Sequence, residues 1–354
     1  MITRKKTRQI SVGTVRIGGD APIAVQSMTN TDTRDVEATV AQIHRLEEAG
    51  CEIIRVAVLD QAAAEAIRPI RERITIPLIA DIHFDHRLAI ASMEHGAHAI
   101  RINPGNIGGP EKLARVVAAA KQHRVAIRVG VNSGSVEKDI LARYGHPVPA
   151  ALVESALRNV AHLERLHFEE IKISLKSSDA MTTVAAYREL ASRCDYPLHL
   201  GVTEAGGLIA GTVKSSVALG LLLHEGIGDT FRISLTRDPV EEIRVGFELL
   251  RALHIRHRGP ELISCPTCGR CQIDLFSLAE RVEHHIQRLH TNLKIAVMGC
   301  VVNGPGEAKE ADLGLAGGNG MGILFKKGEL YKKVPEAELF EVFVAELEEM
   351  EKKG

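Results

Sequence analysis

Short β-branched runs alternate with longer amphipathic segments along most of the chain. The amphipathic segments, such as VEATVAQIHRLEEAG and PEKLARVVAAAKQH, carry apolar residues at helical spacing. Strands alternating with helices indicate βαβ units and a parallel sheet. Eight such units match the count of a TIM (β/α)8 barrel. A doubly wound sheet is the alternative, but no GxGxxG motif follows the first strand. The predicted strands are 23–28, 53–58, 78–83, 99–103, 126–132, 171–175, 198–204 and 231–236.

The pattern changes near 254–264, a basic stretch that contains Gly-Pro. We therefore expect two domains, a barrel in 1–258 and a small α+β domain in 259–354. The second domain should contain a cysteine motif, the helix LFSLAERVEHHIQRLH, the strand LKIAVMG, a glycine-rich strand pair and a charged final helix. At the start of the chain, the alternating segment RQISVGTVRIGG predicts a hairpin that closes the bottom of the barrel.

Composition and charge exclude several classes of protein. The net charge is −1, from 44 basic and 45 acidic residues, so the basic excess of a nucleic-acid-binding protein is missing. No apolar run reaches the roughly 18 residues of a membrane span, and the basic N-terminus lacks the apolar stretch of a signal peptide. The sequence predicts a cytoplasmic protein without nucleic-acid or membrane partners. Its six cysteines are then expected to be reduced or metal-bound.

Polar residues concentrate in the predicted barrel strands and at their C-terminal ends, where barrel enzymes place their sites. Arg or Lys recurs on five of the eight strands, and two acids, Asp81 and Glu204, are too few to neutralise them. A single Arg could pair with an acid or point outward, but five together favour an anion site. Guanidinium groups suit phosphate oxygens, so we predict a phosphate or diphosphate ligand. The candidate residues are Arg55, Asp81, His83, Arg101, Asn103, Arg128, Asn132, Lys172, Ser174, Lys176, His199, Thr203, Glu204, Arg232 and Ser234.

The segment EAGGLIAGTVKSS (204–216) follows the seventh strand. Its glycines free backbone N–H groups, and we expect a helix to begin between Gly211 and Lys214. Helix N-termini attract phosphate, and barrels often bind phosphate after strands seven and eight. A simple glycine turn would also explain the composition. Together with the arginines, the segment supports a phosphate ligand.

Four of the six cysteines lie in the last quarter of the chain, three of them at CxxCxxC spacing in SCPTCGRCQ. A CxxC pair places two thiolates on one metal. Zinc sites normally add a second Cys pair or a His pair, whereas a [4Fe–4S] cluster tolerates one separated cysteine. Spacing alone does not distinguish these two, and unligated core thiols are a third interpretation. The four residues are Cys265, Cys268, Cys271 and Cys300.

The segment VMGCVVNGPGEA (297–308) adds a carboxylate to this cluster. Cys300 ends an apolar run, the Asn-Gly-Pro-Gly stretch turns back, and Glu307 could then reach the same metal. A carboxylate is a weak, displaceable ligand for iron, so such a site could open to substrate, which a structural zinc ion has little need to do. The sequence therefore favours an iron–sulfur cluster with one labile iron. For Glu307 the alternative is an ordinary carboxylate on a surface loop.

Six segments in one order resemble a known family: IADIHFD, IRINPGNIG, EAGG…GTVKSS, IGDTFRISLT, SCPTCGR and GCVVNGPGEA. The chain resembles the 4-hydroxy-3-methylbut-2-enyl diphosphate synthases of the non-mevalonate isoprenoid pathway, in their compact two-domain bacterial form. The resemblance implies reductive ring opening and dehydration of 2-C-methyl-D-erythritol 2,4-cyclodiphosphate to (E)-4-hydroxy-3-methylbut-2-enyl diphosphate. Two electrons would come from reduced ferredoxin or flavodoxin through a [4Fe–4S] cluster. It also implies a homodimer in which the cluster domain of one chain serves the barrel of the other.

The resemblance also implies roles for particular residues. Glu204 would lie near the reacting carbons and manage a proton, Asn303 would contact substrate beside the cluster, and substrate oxygen would displace Glu307 from the iron. This chain departs from the family pattern at Cys271, where Thr is usual, and we expect Cys271 not to be a ligand. The implied cluster ligands are Cys265, Cys268, Cys300 and Glu307. The implied diphosphate ligands are Arg55, Arg101, Asn103, Arg128, Asn132, Lys176, Arg232 and Ser234.

Overall fold

The computed structural model describes residues 2–300 and 308–353. The chain forms two compact units, Met1–Ile255 and Arg256–Gly354. Within the described ranges, no helix has the length and the apolar character needed to cross a membrane.

The first unit begins with a hairpin of two antiparallel strands, β1 (Ile10–Val12) and β2 (Val15–Ile17). The chain reverses between them at Gly13, whose φ of +55° lies in the left-handed region that favours glycine. Side chains of the hairpin pack against the first residues of five barrel strands, so the predicted closure of the barrel bottom is confirmed. The residues of this small apolar cluster are Ile10, Val12, Ile17, Ala24, Ile53, Ile79, Ala99 and Ala126.

Eight parallel strands follow the hairpin, and each pairs with its neighbours around a barrel. The ladder runs in the order β8-β7-β6-β5-β4-β3-β10-β9, and a bridge between Ile173 and Leu198 joins its two ends. The predicted TIM barrel is confirmed, since a doubly wound sheet has open edges. The strands are β3 (Ala24–Met28), β4 (Ile53–Ala57), β5 (Leu78–Asp81), β6 (Ala99–Ile102), β7 (Ala126–Asn132), β8 (Ile171–Lys176), β9 (His199–Leu200) and β10 (Thr230–Phe231).

Amphipathic helices surround the barrel and bury their apolar faces against the outward residues of the strands. Five of them begin behind an aspartate whose carboxylate accepts a backbone N–H of the first turn, which fixes where each helix starts. These caps are Asp35, Asp60, Asp85, Asp179 and Asp238. The helices are α1 (Val36–Ala49), α2 (Gln61–Arg71), α3 (His86–Glu94), α4 (Pro110–His123), α5 (Lys138–Tyr144), α6 (Pro149–Glu164), α7 (Ala180–Arg193), α8 (Leu208–His224) and α9 (Pro239–Ala252).

The last two barrel strands are shorter than the sequence predicts. The β-branched patterns run through 198–204 and 231–236, but the strands β9 and β10 end at Leu200 and Phe231. Beyond these points the backbone leaves the regular ladder, although Thr203 N–H still donates to the Ser177 carbonyl at 3.1 Å. The loops that result carry several of the candidate residues.

The second unit is a five-stranded mixed sheet covered by helices. Strands β11, β12 and β13 are parallel, and β13, β14 and β15 are antiparallel. Its apolar core joins the sheet to both helices, in agreement with the predicted α+β architecture. The elements are β11 (Glu261–Ser264), α10 (Leu275–Ile286), β12 (Lys294–Met298), β13 (Leu313–Gly317), β14 (Met321–Lys326), β15 (Glu329–Pro335) and α11 (Leu339–Lys353).

Candidate functional site

Arginine and lysine side chains point into the barrel from four strands, β4, β6, β7 and β8. Their neighbours along each strand, such as Ile54 and Val56 on either side of Arg55, belong to the core between strands and helices. Because successive side chains alternate between the two faces of a strand, the polar residues face the interior. The inward residues of β4 to β9 are all nearly buried: Arg55, Asp81, Arg101, Arg128, Lys172, Ser174, Lys176 and His199.

Asp81 lies between two of these arginines. Its carboxylate is 3.3 Å from Arg101 Nη1 and 3.6 Å from Arg55 Nε. Burial opposes ionisation of this carboxyl, but Arg55, Arg101 and Arg128 outweigh that effect and lower its pKa to about 2. Burial and the neighbouring Arg232 and Arg101 lower the pKa of Arg55 to about 10. Asp81 therefore stays ionised and offsets part of the positive charge.

Three further basic side chains lack a directly paired acid in the described part of the chain. Within the described ranges, Arg128, Lys172 and Lys176 form no salt bridge, and Arg128 and Lys172 are each only 1% exposed. Burial and neighbouring cations lower the pKa of all three well below the usual range. Positive charge on these side chains is therefore costly in the empty barrel, and an anionic ligand would stabilise it.

Arg232 is held by a carboxylate that sequence reasoning missed. Glu242, on α9, accepts from Arg232 Nε and Nη2 at 3.3 Å and also accepts the Ser27 hydroxyl at 3.0 Å. The only feature of the sequence that could have indicated this role is the position of a carboxylate among the apolar residues of that helix. Met28 was missed as well, and its sulfur lies 2.8 Å from Arg55 Nη2. Both residues fix arginines at the mouth of the barrel.

Two glycines allow long basic side chains to cross the barrel. A Cβ atom on Gly130 would lie 2.3 Å from Arg101 Nε, and one on Gly201 would lie 2.6 Å from Lys176 Nζ. Real Cβ atoms do not approach other atoms this closely. Any side chain at either position would displace the arginine or the lysine from its present position.

Glu204 lies in the loop between β9 and α8. It is exposed and has a φ of +52°, a left-handed conformation that costs a residue with a side chain about 1–2 kcal/mol. Strain of this kind often marks functional positions. The predicted start of the following helix, between Gly211 and Lys214, is wrong: α8 begins at Leu208, directly after the glycine pair. Its N-terminus is therefore closer to Glu204 than the sequence suggested.

The two candidate asparagines follow neighbouring strands. The Asn103 amide accepts from Gly105 N–H at 3.1 Å and donates to the Ser135 carbonyl at 3.3 Å, so it shapes the loop after β6. Asn132 ends β7 and is partly exposed. Ser234 is also partly exposed, in the loop after β10. The structure places all three at the C-terminal ends of the barrel strands.

In the second unit, two adjacent strand ends bring cysteines together. Because β11 and β12 are parallel and in register, Cys265 directly follows one strand end and Gly299 and Cys300 follow the other. The Gly299 N–H donates to Cys265 Sγ at 3.3 Å. Cys271 Sγ would lie 2.6 Å from a Cβ on Gly299, so it contacts the same residue. Cys268 is exposed in the loop between them.

The described ranges 2–300 and 308–353 contain no group of three or more His, Cys, Asp or Glu side chains already arranged to hold a metal ion. Asn303 and Glu307 lie outside the described residues. The donor set nevertheless fits an iron–sulfur cluster, because Cys265 and Cys300 follow the ends of two neighbouring parallel strands and Cys268 lies in the loop after the first of them. A sulfur that accepts a backbone N–H is typical of cluster ligands. Cys271 Sγ donates to the Ile273 carbonyl at 3.3 Å, and both Cys271 and Cys265 pack against the core of this unit.

Family comparisons cover both units. The GcpE TIM-barrel domain matches residues 7–247, and the GcpE protein C-terminal domain matches residues 261–349.

Relatives match over nearly the whole chain. A Desulfotalea psychrophila protein named 4-hydroxy-3-methylbut-2-en-1-yl diphosphate synthase (flavodoxin) is 70% identical over 99% of this chain and 97% of its own. A protein of the same name from Geobacter sulfurreducens is 59% identical over 98% of both. Among solved structures, 3-dehydroquinate dehydratase from Geobacillus kaustophilus aligns with a TM-score of 0.51 at 15% identity, over 71% of this chain and 99% of its own. That last likeness concerns the barrel fold alone.

Proposed function

This chain belongs to the GcpE family of oxidoreductases, and we propose that it reductively opens and dehydrates 2-C-methyl-D-erythritol 2,4-cyclodiphosphate. The product is (E)-4-hydroxy-3-methylbut-2-enyl diphosphate. Two electrons enter, a ring C–O bond breaks, and the C3 hydroxyl leaves as water. The names of the relatives support this activity, and the barrel interior of this chain supports the class of substrate.

The observation that carries the proposal is the unbalanced charge inside the barrel. Six basic side chains face two carboxylates, Asp81 and Glu242, in the barrel interior. A diphosphate offers enough negative charge to offset the remainder, and its oxygens accept several N–H donors at once. The six are Arg55, Arg101, Arg128, Lys172, Lys176 and Arg232.

We assign the diphosphate to the residues nearest the mouth. Arg55 and Arg101 are fixed by Asp81, and Arg232 is fixed by Glu242, so these guanidinium groups are oriented before substrate arrives. Because these side chains are already ordered, they lose less conformational entropy when the substrate binds. The other ligands in this proposal are Asn103, Arg128, Asn132, Lys176 and Ser234.

The proposed cofactor is a [4Fe–4S] cluster held by Cys265, Cys268, Cys300 and Glu307. When bound, it supplies electrons singly to the reacting carbons. The Gly299 N–H already donates to the Cys265 sulfur, so this proposed ligand is oriented before a cluster binds. Glu204, held in a strained conformation above the barrel, would move the proton that the leaving hydroxyl needs. Asn303 would contact substrate beside the cluster.

The proposed electron donor is flavodoxin, which is part of the names of the relatives. Ferredoxin is the alternative. A cytoplasmic location, predicted from the sequence, is part of the same proposal. The direct test is an oxygen-free assay with the cyclic diphosphate and either reduced protein, followed by identification of the product. Formation of the allylic diphosphate is expected. If the cyclic substrate stays intact when this chain is supplied with reduced flavodoxin or ferredoxin, the proposal is contradicted.

We also propose a homodimer in which one chain's cluster domain serves the other chain's barrel. The trans arrangement rests on the family resemblance. Self-association is supported by an exposed apolar stripe on α8, because a helix that is apolar on all sides is normally buried. The stripe consists of Leu208, Ile209, Val213, Val217 and Leu221.

Ile209→Glu should weaken this dimer. Ile209 is 82% exposed in the single chain, so the substitution should change the stability of the folded chain little. In the dimer it would place a carboxylate in the apolar interface. Sedimentation velocity should show a shift from dimer to monomer. Ala62→Glu, at an exposed position on α2, is the matched control and should remain dimeric. Unchanged dimerisation of Ile209→Glu would exclude the α8 stripe from the interface.

Arg128→Met should weaken binding of the cyclic diphosphate by about 10- to 150-fold, about 1.5–3 kcal/mol for a charge-assisted contact. In gluconate buffer without substrate, the variant should not lose stability, because it removes a buried cation that has no acid partner in the described ranges. Calorimetric titration and thermal unfolding measure the two effects. Arg115→Met, at an exposed position on α4, should change neither. Normal affinity in Arg128→Met would place the diphosphate elsewhere.

A further inference from the structure

Below the proposed diphosphate site, the barrel contains a second set of buried donors. Lys172 lies four residues before Lys176 on the same strand, a distance of about 13 Å along the strand. It is the register partner of Arg128 on β7. His199, on β9, is fully buried. These three residues lie between the mouth of the barrel and the apolar cluster that closes its bottom.

Four polar atoms of this set have no hydrogen-bond partner within the described part of the chain. Lys172 Nζ, His199 Nε2 and the Nε and Nη1 atoms of Arg128 are all buried there without a hydrogen bond. Buried polar groups are normally hydrogen-bonded, and each exception needs an explanation. Here every orphan belongs to a side chain that is at most 1% exposed.

His199 can add a third donor to this space. Its Nδ1 lies 2.9 Å from the Thr230 hydroxyl, and its Nε2 is buried without a partner in the described residues. Because the Thr230 hydroxyl can either donate to Nδ1 or accept from it, the neutral ring can carry its proton at Nε2. An anion beside Lys172 and Arg128 would favour that tautomer, since Nε2–H then donates to the anion.

Among the described residues, no free carboxylate balances the set. Asp229 is the acid that most influences Lys172, but Asp229 already binds Arg4 Nη2 at 2.9 Å, the Thr7 hydroxyl at 2.9 Å and the Leu198 N–H at 2.8 Å. Asp81 is shared between Arg55 and Arg101. A positively charged, donor-only group of side chains is what a small anion requires.

We propose that Arg128, Lys172 and His199 form an inner site for a small inorganic anion, chloride in the cell, beneath the substrate. The anion offsets the charge of Lys172 and Arg128 when substrate is absent and fixes Arg128 from below. The site shares Arg128 with the proposed diphosphate site, but the buried donors that argue for it are present whatever the substrate is.

The first test is the dependence of stability on chloride in the full-length protein, purified without oxygen. At constant ionic strength, with gluconate as the replacement anion, a roughly 100-fold rise in chloride should raise the melting temperature of wild type by about 5 °C. Lys172→Met should lose this shift. Lys176→Met, on the same strand near the mouth, should keep it. A shift that survives in Lys172→Met, or that is missing in wild type, would overturn the proposal.

The second test does not depend on whether a variant folds. Wild-type crystals soaked in bromide should show an anomalous peak in contact with Lys172 Nζ and His199 Nε2. A peak only at the mouth, among Arg55, Arg101 and Arg232, or a water molecule in the inner site, would show that no anion binds there.

Discussion

Cys265→Ala should remove the cluster and abolish turnover. Cys265 Sγ accepts a hydrogen bond from the Gly299 N–H at one of two adjacent strand ends, so the substitution removes a proposed iron ligand. Iron should fall from about four atoms per chain, the content of one [4Fe–4S] cluster, to a small fraction of that value. Iron and sulfide analysis and the visible absorption spectrum of oxygen-free protein measure this loss.

Cys271→Ala is the matched control, because Cys271 lies in the same loop and contacts the same glycine. Its thiol donates to a backbone carbonyl and packs against the core. This variant should keep its iron and its turnover, with at most a modest loss of stability. If Cys271→Ala loses iron as Cys265→Ala does, Cys271 is a ligand and the three-cysteine assignment is wrong.

Glu204→Gln should bind the cyclic diphosphate normally and turn over about 100- to 10,000-fold more slowly, the usual effect of removing a general acid or base. The amide keeps the size and the hydrogen-bonding reach of the carboxyl but cannot transfer its proton. Calorimetric titration should therefore give an unchanged dissociation constant while kcat falls. Glu111→Gln, at an exposed position on α4, should change neither. Unchanged kcat in Glu204→Gln would remove Glu204 from the chemistry.

Glu204→Gly separates strain from function. Because Glu204 has a φ of +52°, glycine should relieve the backbone and raise the free energy of unfolding by up to about 1 kcal/mol. Turnover should still be lost. A variant that is both more stable and inactive would show that the strained carboxylate is retained for catalysis. If turnover is retained, the strained conformation of Glu204 belongs to the structure of the loop and has no role in catalysis.

The barrel was predictable from sequence because its elements have local signals. Alternation in the first 20 residues predicted the hairpin of Ile10–Ile17, and eight β-branched runs predicted the eight strands. The ends of β9 and β10 were not predictable in the same way. Their β-branched patterns continue past Leu200 and Phe231, but tertiary geometry takes the backbone out of the ladder there.

The candidate site was predictable where strand position decides it. Arg55, Arg101 and Arg128 follow from alternation within strands, which fixes the face on which each lies. Glu242 did not follow, because its contact with Arg232 depends on how α9 packs against the barrel. The early start of α8 was missed because Leu208 and Ile209 look like loop residues after two glycines, whereas Gly207 in fact precedes the first helical turn.

The central claim is that this chain couples a thiol-bound redox cluster to a barrel that binds a diphosphate. Metal and sulfide analysis of protein purified without oxygen tests it most directly. The account predicts brown protein with about four irons and four sulfides per chain, bleached by air. Colourless, air-stable protein with one zinc per chain would contradict it.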